Sequence, residues 1–317
     1  MTTTTVDSTG APLPSVDAAA TTGASRSIWR RILSQRPAVI GLGILVFLFS
    51  VALLADVITV YEPERSVIGL DPREFARPRL APCVHVLGCP AEQPEHLMGL
   101  DGNVIDVFSR VVFGARVSLL IGFVTVGGAI LIGMLIGAVA GYAGGWVDNV
   151  LMRLMDMLLA FPALLLAIVI VTILGVGLVN AMIAVAIVAI PIYARVMRSS
   201  VLSIREQDYV TAARALGDSP ISILARRVIP NSLTPMIVQG TLGIGTAVLE
   251  VAALSFLGLG AQPPLPEWGQ MIGREYNNIQ NAPHLIFFPG IALTLTVLGF
   301  NLLGDGLRDA FDPRLTR

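Results

Sequence analysis

Long charge-free stretches alternate along the chain with short charged ones, and their lengths set the elements. A helix needs about 20 apolar residues to cross a ~30 Å hydrocarbon core. The run Pro37–Ala55 is closed by Asp56 and followed by more apolar residues, which predicts a first span over roughly 38–60. The run Val117–Val147 carries a second, ending near Gly141. Between Asp156 and Arg195 no charge appears for 38 residues. At about 1.5 Å per residue that is nearly twice a membrane thickness, so the chain must turn back. Leu174-Gly-Val-Gly-Leu-Val-Asn180 supplies the turn, giving spans three (about 151–174) and four (about 179–196). Span five runs from about 233 to 258, interrupted by Glu250, and span six covers about 284–304. The pattern predicts an all-α, polytopic membrane protein with six transmembrane helices.

Composition agrees. Hydrophobic residues make up 54% of the chain and charged residues 14%, too few to cover a soluble domain. All 21 basic residues are arginine. A phosphate-cradling loop of the form G-x-x-x-x-G-K-[ST] needs a lysine, so any ATP this protein uses is hydrolysed by another polypeptide. The net charge of −1 gives no reason to expect nucleic acid as a partner.

Arginine placement sets the expected orientation. Arg26, Arg30, Arg31 and Arg36 precede span one, which puts the N-terminus in the cytoplasm. With six spans, fourteen arginines fall inside and seven outside, and both termini are cytoplasmic. Arg30-Arg31 reads as a positive-inside flank in preference to a twin-arginine signal, and no cleavable signal peptide precedes span one. The expected organisation is a disordered cytoplasmic tail over 1–27, a first transmembrane segment over 28–60 and an extracytoplasmic loop over 61–116. A core domain of five transmembrane helices over 117–307 contains a cytoplasmic loop at 203–230, and 308–317 forms a second tail. Cys83 and Cys89 both lie in the extracytoplasmic loop, on the oxidising side, where a disulfide is the favoured reading. A metal site with His85 or His96 is the alternative, and its spacing fits no familiar finger.

The segment Ser203–Gly217 carries too many charges to span, yet its residues are strong helix formers. Ala212, Ala213, Ala215 and Gly217 are small and permit close approach by a partner. Gly217 suits a left-handed helix C-terminus, and Ser219 with Pro220 reads as N-cap and first position of a second helix. Pro230 ends that helix before span five. On these residues alone the pair is equally an amphipathic connector lying on the membrane surface.

The stretch Tyr209-Val-Thr-Ala-Ala-Arg-Ala-Leu-Gly217, continued to Val228-Ile-Pro-Asn231, resembles the EAA loop of bacterial binding-protein-dependent ABC importers. Ala212, Ala213, Gly217 and Pro230 occupy the expected positions, and Thr211 replaces the triplet's glutamate. The resemblance covers about 30–317. It includes Met98-Gly-Leu-Asp101, Phe113–Leu119, Gly144–Asn149 and Met152–Asp156, and most specifically Ser255–Gly269 and Phe300–Asp309. Together these are similar to the "C-type" permease of dipeptide and oligopeptide importers; Asn103-Val-Ile-Asp106 departs from it, with Ile105 where the family has arginine. The resemblance implies a type I ABC importer transmembrane fold in the bacterial inner membrane, with a homologous second permease completing the pathway. It further implies one or two ATPase subunits that hold ATP and magnesium, and an extracytoplasmic peptide-binding protein. It marks Glu206, Asp208, Tyr209, Thr211, Ala212, Ala213, Ala215, Leu216, Gly217 and Pro230 for docking the ATPase, and implies no cofactor or metal in this chain. Alternatives within the same machinery are nickel chelates, haem or cell-wall peptides as cargo.

Other features remain. An ionised carboxylate within a span costs several kcal/mol unless paired or hydrated. Glu250 is therefore either a group facing the translocation cavity, there to meet a peptide's amino group, or a structural one, paired with a polar neighbour or lying near the outer membrane interface. Arg153 and Asp156, three apart, share a helix face and are expected to pair. Gly133, Gly137 and Gly141 form overlapping G-x-x-x-G steps for close helix packing, with a partner in this chain or another. Gln262–Trp268 reads equally as a lid, a docking surface or a rigid connector. The three histidines form no local catalytic motif, so no enzyme is expected. A proton-coupled carrier or channel would need more ionisable residues inside its spans than this chain has.

Overall fold

The computed structural model describes residues 33–72 and 74–311. The tail expected over 1–27, and all of the second tail beyond Phe311, lie outside the described residues. Among the described residues, ten helices frame the fold. They are α1 (Arg36–Leu53), α2 (Val107–Ala143), α3 (Gly145–Leu159), α4 (Ala163–Leu174), α5 (Leu178–Ile204), α6 (Asp208–Ala215), α7 (Pro220–Ile223), α8 (Leu233–Phe256), α9 (Trp268–Glu275) and α10 (His284–Phe311). Short one-turn pieces join some of them, and no strand occurs among the described residues beyond isolated bridges.

Five of these helices (α1, α2, α5, α8 and α10) are each long and apolar enough to cross a membrane. The expected third span over about 151–174 is not one straight helix. It is broken between Leu159 and Ala163, and α3 and α4 meet at 92°. Pro162 is the cause: it lacks an N–H to donate and disfavours helical backbone at Phe161 before it. Counting the bent pair as one span gives six. The second helix begins at Val107, earlier than expected, because Asp106 caps it by accepting from the Ser109 N–H at 2.8 Å. The sixth runs on to Phe311, past the expected end near 304, so residues 308–311 are helical. The turn expected at 174–180 is present, with φ of +97° at Gly175.

The core is the pairing of α2 with α5. Gly133, Gly137 and Gly141 all face α5, so their partner lies in this chain. A Cβ at Gly133 would stand 2.7 Å from Tyr193 Cβ, and one at Gly137 would run into the Ala194 carbonyl. Against this pair packs α8; α10 packs on α8, and α1 lies on α10.

The segment between α1 and α2 is held by its own small core of Val67, Leu100 and Val104 and by a disulfide joining Cys83 and Cys89, whose Cα atoms are 5.4 Å apart. His85 and His96 take separate partners: His85 Nε2 lies 2.7 Å from the Gln93 carbonyl. His96 is fully buried, with Nδ1 2.9 Å from Asp106 and Nε2 3.1 Å from Asp71. Burial opposes a charge on this ring, but the hydrogen bonds and charges of Asp106 and Asp71 outweigh it and hold its pKa above the ordinary 6.5. A ring flanked by two carboxylates donates to both only when protonated. The folded-state pKa is raised, so this stabilisation is complete below pH 6.5 and is lost as pH rises through the folded value. Corrected for intrinsic rates, amide exchange in residues 61–106 is expected to accelerate from about pH 6 to about pH 9, and His96→Gln to abolish that excess. Protection that rises with pH in the unsubstituted protein would contradict the assignment.

Candidate functional site

The loop at 203–230 folds as two short helices around a glycine. At the end of α6 the Gly217 N–H donates to the Arg214 carbonyl and the Asp218 N–H to that of Ala213, both at 3.1 Å. This double closure requires a left-handed residue, and Gly217 has φ +86°. Ser219 Oγ then accepts from the Ser222 N–H at 3.3 Å, and Pro220 takes the first position of α7. Pro230 does not end the second helix as expected. The chain passes through a π turn at Leu224–Val228 and one more helical turn, Ile229–Asn231, into α8. The backbone around Pro230 is satisfied by side chains: Asn231 Nδ2 donates to the Arg227 carbonyl at 2.6 Å and Ser232 Oγ to that of Val228 at 2.9 Å. The helical run through Pro230 therefore joins the loop directly to α8.

The two helices are in contact, and Val210 and Ala213 of α6, Ile223 of α7 and Val228 of the π turn are all buried. Ala213, expected at the docking face, is thus turned into the protein. Thr211, Ala212, Ala215, Gly217 and Pro230 are exposed, as are Asp208 in the first turn and Glu206, which pairs with Arg205 at 3.0 Å. The most exposed large apolar residues of this loop are Leu216 at 87% and Ile221 at 81%, with Tyr209 at 42%. These apolar side chains stand exposed on a rigid support outside the apolar spans.

That support comes from α5. Arg198 binds the Asp148 carboxylate of α3 through two bonds of 2.5 and 2.6 Å, and Arg205 Nη1 donates to the Gly141 carbonyl at 2.7 Å. Asp156 does not pair with Arg153; its partner is Arg195, at 2.5 Å. Side chains one helix away outcompete the neighbour on the same helix because α3 lies alongside α5. These bonds tie the end of α5, next to α6, to α3 and α2.

Deeper in the fold a cavity of about 140 Å³ lies between α2, α5, α8 and the bend of the third span. Glu250 lines it together with Tyr193, Gln239, Thr246 and Phe161. On the far side of the fold, Gln262–Trp268 is sewn down: Trp268 is fully buried and donates Nε1–H to the Val111 carbonyl at 3.0 Å. Glu267 caps α9 by accepting from the Gly269 and Gln270 N–H groups at 2.9 and 2.8 Å. Pro266, Glu267 and Trp268 are buried, as a rigid connector requires, while Gln262, Pro263 and Pro264 stay exposed. Ile105 is buried, and its N–H donates to Asp101 at 2.9 Å.

Residues 133–317, more than half of the chain, match the family model described as the binding-protein-dependent transport system inner membrane component. The chain belongs to this family. Residues 24–82 match the N-terminal transmembrane domain of oligopeptide transport permease C. The permease is 53% identical over 221 residues to the dipeptide transport system permease protein DppC of Alkalihalophilus pseudofirmus, covering 70% of this chain and 73% of that one. It is 40% identical over 290 residues to the glutathione transport system permease protein GsiD of Pectobacterium atrosepticum, covering 92% and 91%. It is 41% identical over 290 residues to the di/tripeptide transport system permease protein DppC of Pseudomonas aeruginosa, covering 92% of each. A chain of the inward-facing MetNI methionine ABC transporter superposes with a TM-score of 0.53 at 21% identity, over 64% of the permease and 97% of that chain. That likeness places the helices in the type I ABC importer transmembrane fold, and the permease is a multi-pass membrane protein.

Proposed function

We propose that this permease imports di- and oligopeptides across the bacterial inner membrane, as half of a pathway completed by a homologous second permease. The names of the relatives support the cargo most directly: dipeptide, di/tripeptide and glutathione transport permeases, at 40–53% identity. Glutathione is itself a tripeptide, so peptides are favoured over nickel chelates or haem. An extracytoplasmic binding protein delivers the peptide, and one or two separate ATPase subunits hold ATP and magnesium. Both termini face the cytoplasm, which sets the loop at 203–230 on the ATPase side.

In this mechanism the apolar cap at Leu216 and Ile221 seats in the ATPase subunit. Closure of the ATPases moves the α6–α7 pair. The movement passes directly along the helical run into α8, which carries Glu250, and through Arg205 and Arg198 into α2 and α3. A lever needs a stiff connection, and the Arg198–Asp148 pair with its two charge-assisted bonds supplies one.

The test is uptake of a radiolabelled dipeptide by cells with the gene intact and by cells with it deleted. The expected result is loss of uptake on deletion and recovery on complementation. Uptake that persists unchanged in the deletion strain, where no second peptide system is expressed, would overturn the reading.

A further inference from the structure

Four positions along α8 share one face: Gln239, Gly243, Thr246 and Glu250, separated by four, three and four residues. Such spacing stacks side chains in a single line. The line faces the cavity of about 140 Å³, whose other walls come from α2, α5 and the bend at Phe161. It carries three polar side chains, Gln239, Thr246 and Glu250, and its one gap, Gly243, is closed by the hydroxyl of Tyr193, which a Cβ there would strike. Among the described residues Glu250 has no ion-pair or hydrogen-bond partner, and neither arginine nor histidine lines the cavity. Unpaired carboxylates inside a membrane are costly and are kept where a cargo or ion path needs them. A polar partner for Glu250 within this chain, one form of the structural reading, is therefore not found among the described residues.

We propose that Glu250 holds the protonated amino-terminus of the transiting peptide; this rests on the peptide reading above. An ammonium group supplies the missing positive charge and three donors. The line of polar groups fits the remainder. From Glu250 to Gln239 is about 16 Å along the helix axis, and an extended dipeptide spans about 7 Å. With its amino group at Glu250, its far end lies between Thr246 and the Tyr193 hydroxyl, which supply neutral hydrogen-bonding groups. The cavity thus recognises one end of the peptide by charge and the other only weakly. It discriminates strongly against a blocked amino-terminus and tolerates a blocked carboxyl-terminus.

The experiment uses the complete transporter, with its ATPase subunits and binding protein, in proteoliposomes. Three probes are compared: a free dipeptide, its N-acetyl form and its C-terminal amide. Because the binding protein is unchanged between variants, its own selectivity cancels. Glu250→Gln is expected to slow maximal uptake of the free dipeptide and of the amide by about tenfold, the effect of losing one charge-assisted hydrogen bond. It leaves the N-acetyl form at its unsubstituted rate and the apparent KM unchanged, while Glu250→Asp restores the preference for a free amine. Unchanged uptake in Glu250→Gln, or an equal loss for all three probes, overturns the proposal. As a second measurement on the unsubstituted complex, an apolar carbodiimide labels Glu250, and the free dipeptide slows that labelling while the N-acetyl form does not. Equal labelling with both overturns the proposal even where the glutamine variant fails to assemble. If the unsubstituted transporter moves no dipeptide at all, the peptide reading falls first, and this assignment with it.

Discussion

Leu216→Arg is expected to abolish peptide uptake while the permease still accumulates in the membrane. Leu216 closes the last turn of α6 with its side chain 87% exposed and so contributes little to the fold. Exposed substitutions away from special features shift stability by about 0.5 kcal/mol or less. Arginine at a helix C-terminus also suits the helix dipole, so the turn at Gly217 is preserved. If the ATPase docks as proposed, the same position becomes buried, and an unpaired charge there costs about 3–5 kcal/mol. The loss in ATPase affinity is then more than a hundredfold. Three measurements check this on one set of membranes: permease abundance, recovery of the ATPase on affinity purification of the permease, and dipeptide uptake. Normal uptake in Leu216→Arg would sink the docking role of this cap. Ala213→Arg provides the contrast. Ala213 is 3% exposed, between α6 and α7, so a large side chain there pries the pair apart and lowers abundance and uptake together. Under the proposed coupling the loop divides its tasks, with buried Ala213 holding the fold and exposed Ala212, Leu216 and Gly217 presenting the surface.

The membrane spans were legible because they rest on a one-dimensional signal, the absence of charge over a membrane's thickness. The helix pair was legible because Gly217, Ser219 and Pro220 encode a turn locally. The misread features depend on contacts distant in sequence. Pro162 lies in a continuous apolar run, and nothing nearby distinguishes a tolerated kink from a 92° break. The face of α6 that turns inward, Val210 and Ala213, is covered by residues from elsewhere in the chain, and α6 alone does not show it. Asp156 has an arginine three residues before it and chooses another 39 residues away. The Asp71–His96–Asp106 cluster joins residues 25 and 10 positions apart in an irregular segment, where no periodicity announces a meeting. The line from Gln239 to Glu250 is different. Its four–three–four spacing stands in the sequence, and Glu250 read alone concealed it.

Gly137→Leu is expected to remove most of the folded permease from the membrane. A Cβ at this position meets the Ala194 carbonyl and stands 2.8 Å from Met197 Cβ. The first is backbone and the second is the rigid root of a side chain, so neither can rotate away. The helices must separate, and they form the most extensive contact in the molecule. Without a hydrophobic drive between helices in lipid, close packing of this kind is what holds them together. Overpacking of a tight seam costs about 1–3 kcal/mol, and backbone collisions more. Separation also reaches function, because the same pair carries Tyr193 at the cavity and the Arg205–Gly141 bond beside the coupling loop. Alanine should be nearly as damaging as leucine, since the first carbon is already the one that collides. Gly43→Leu on α1 serves as the control, for nothing lies within 4 Å of a Cβ there. Thermal unfolding in detergent, together with membrane abundance, separates the two. A Gly137→Leu protein as stable as Gly43→Leu would show that α2 and α5 do not depend on this approach.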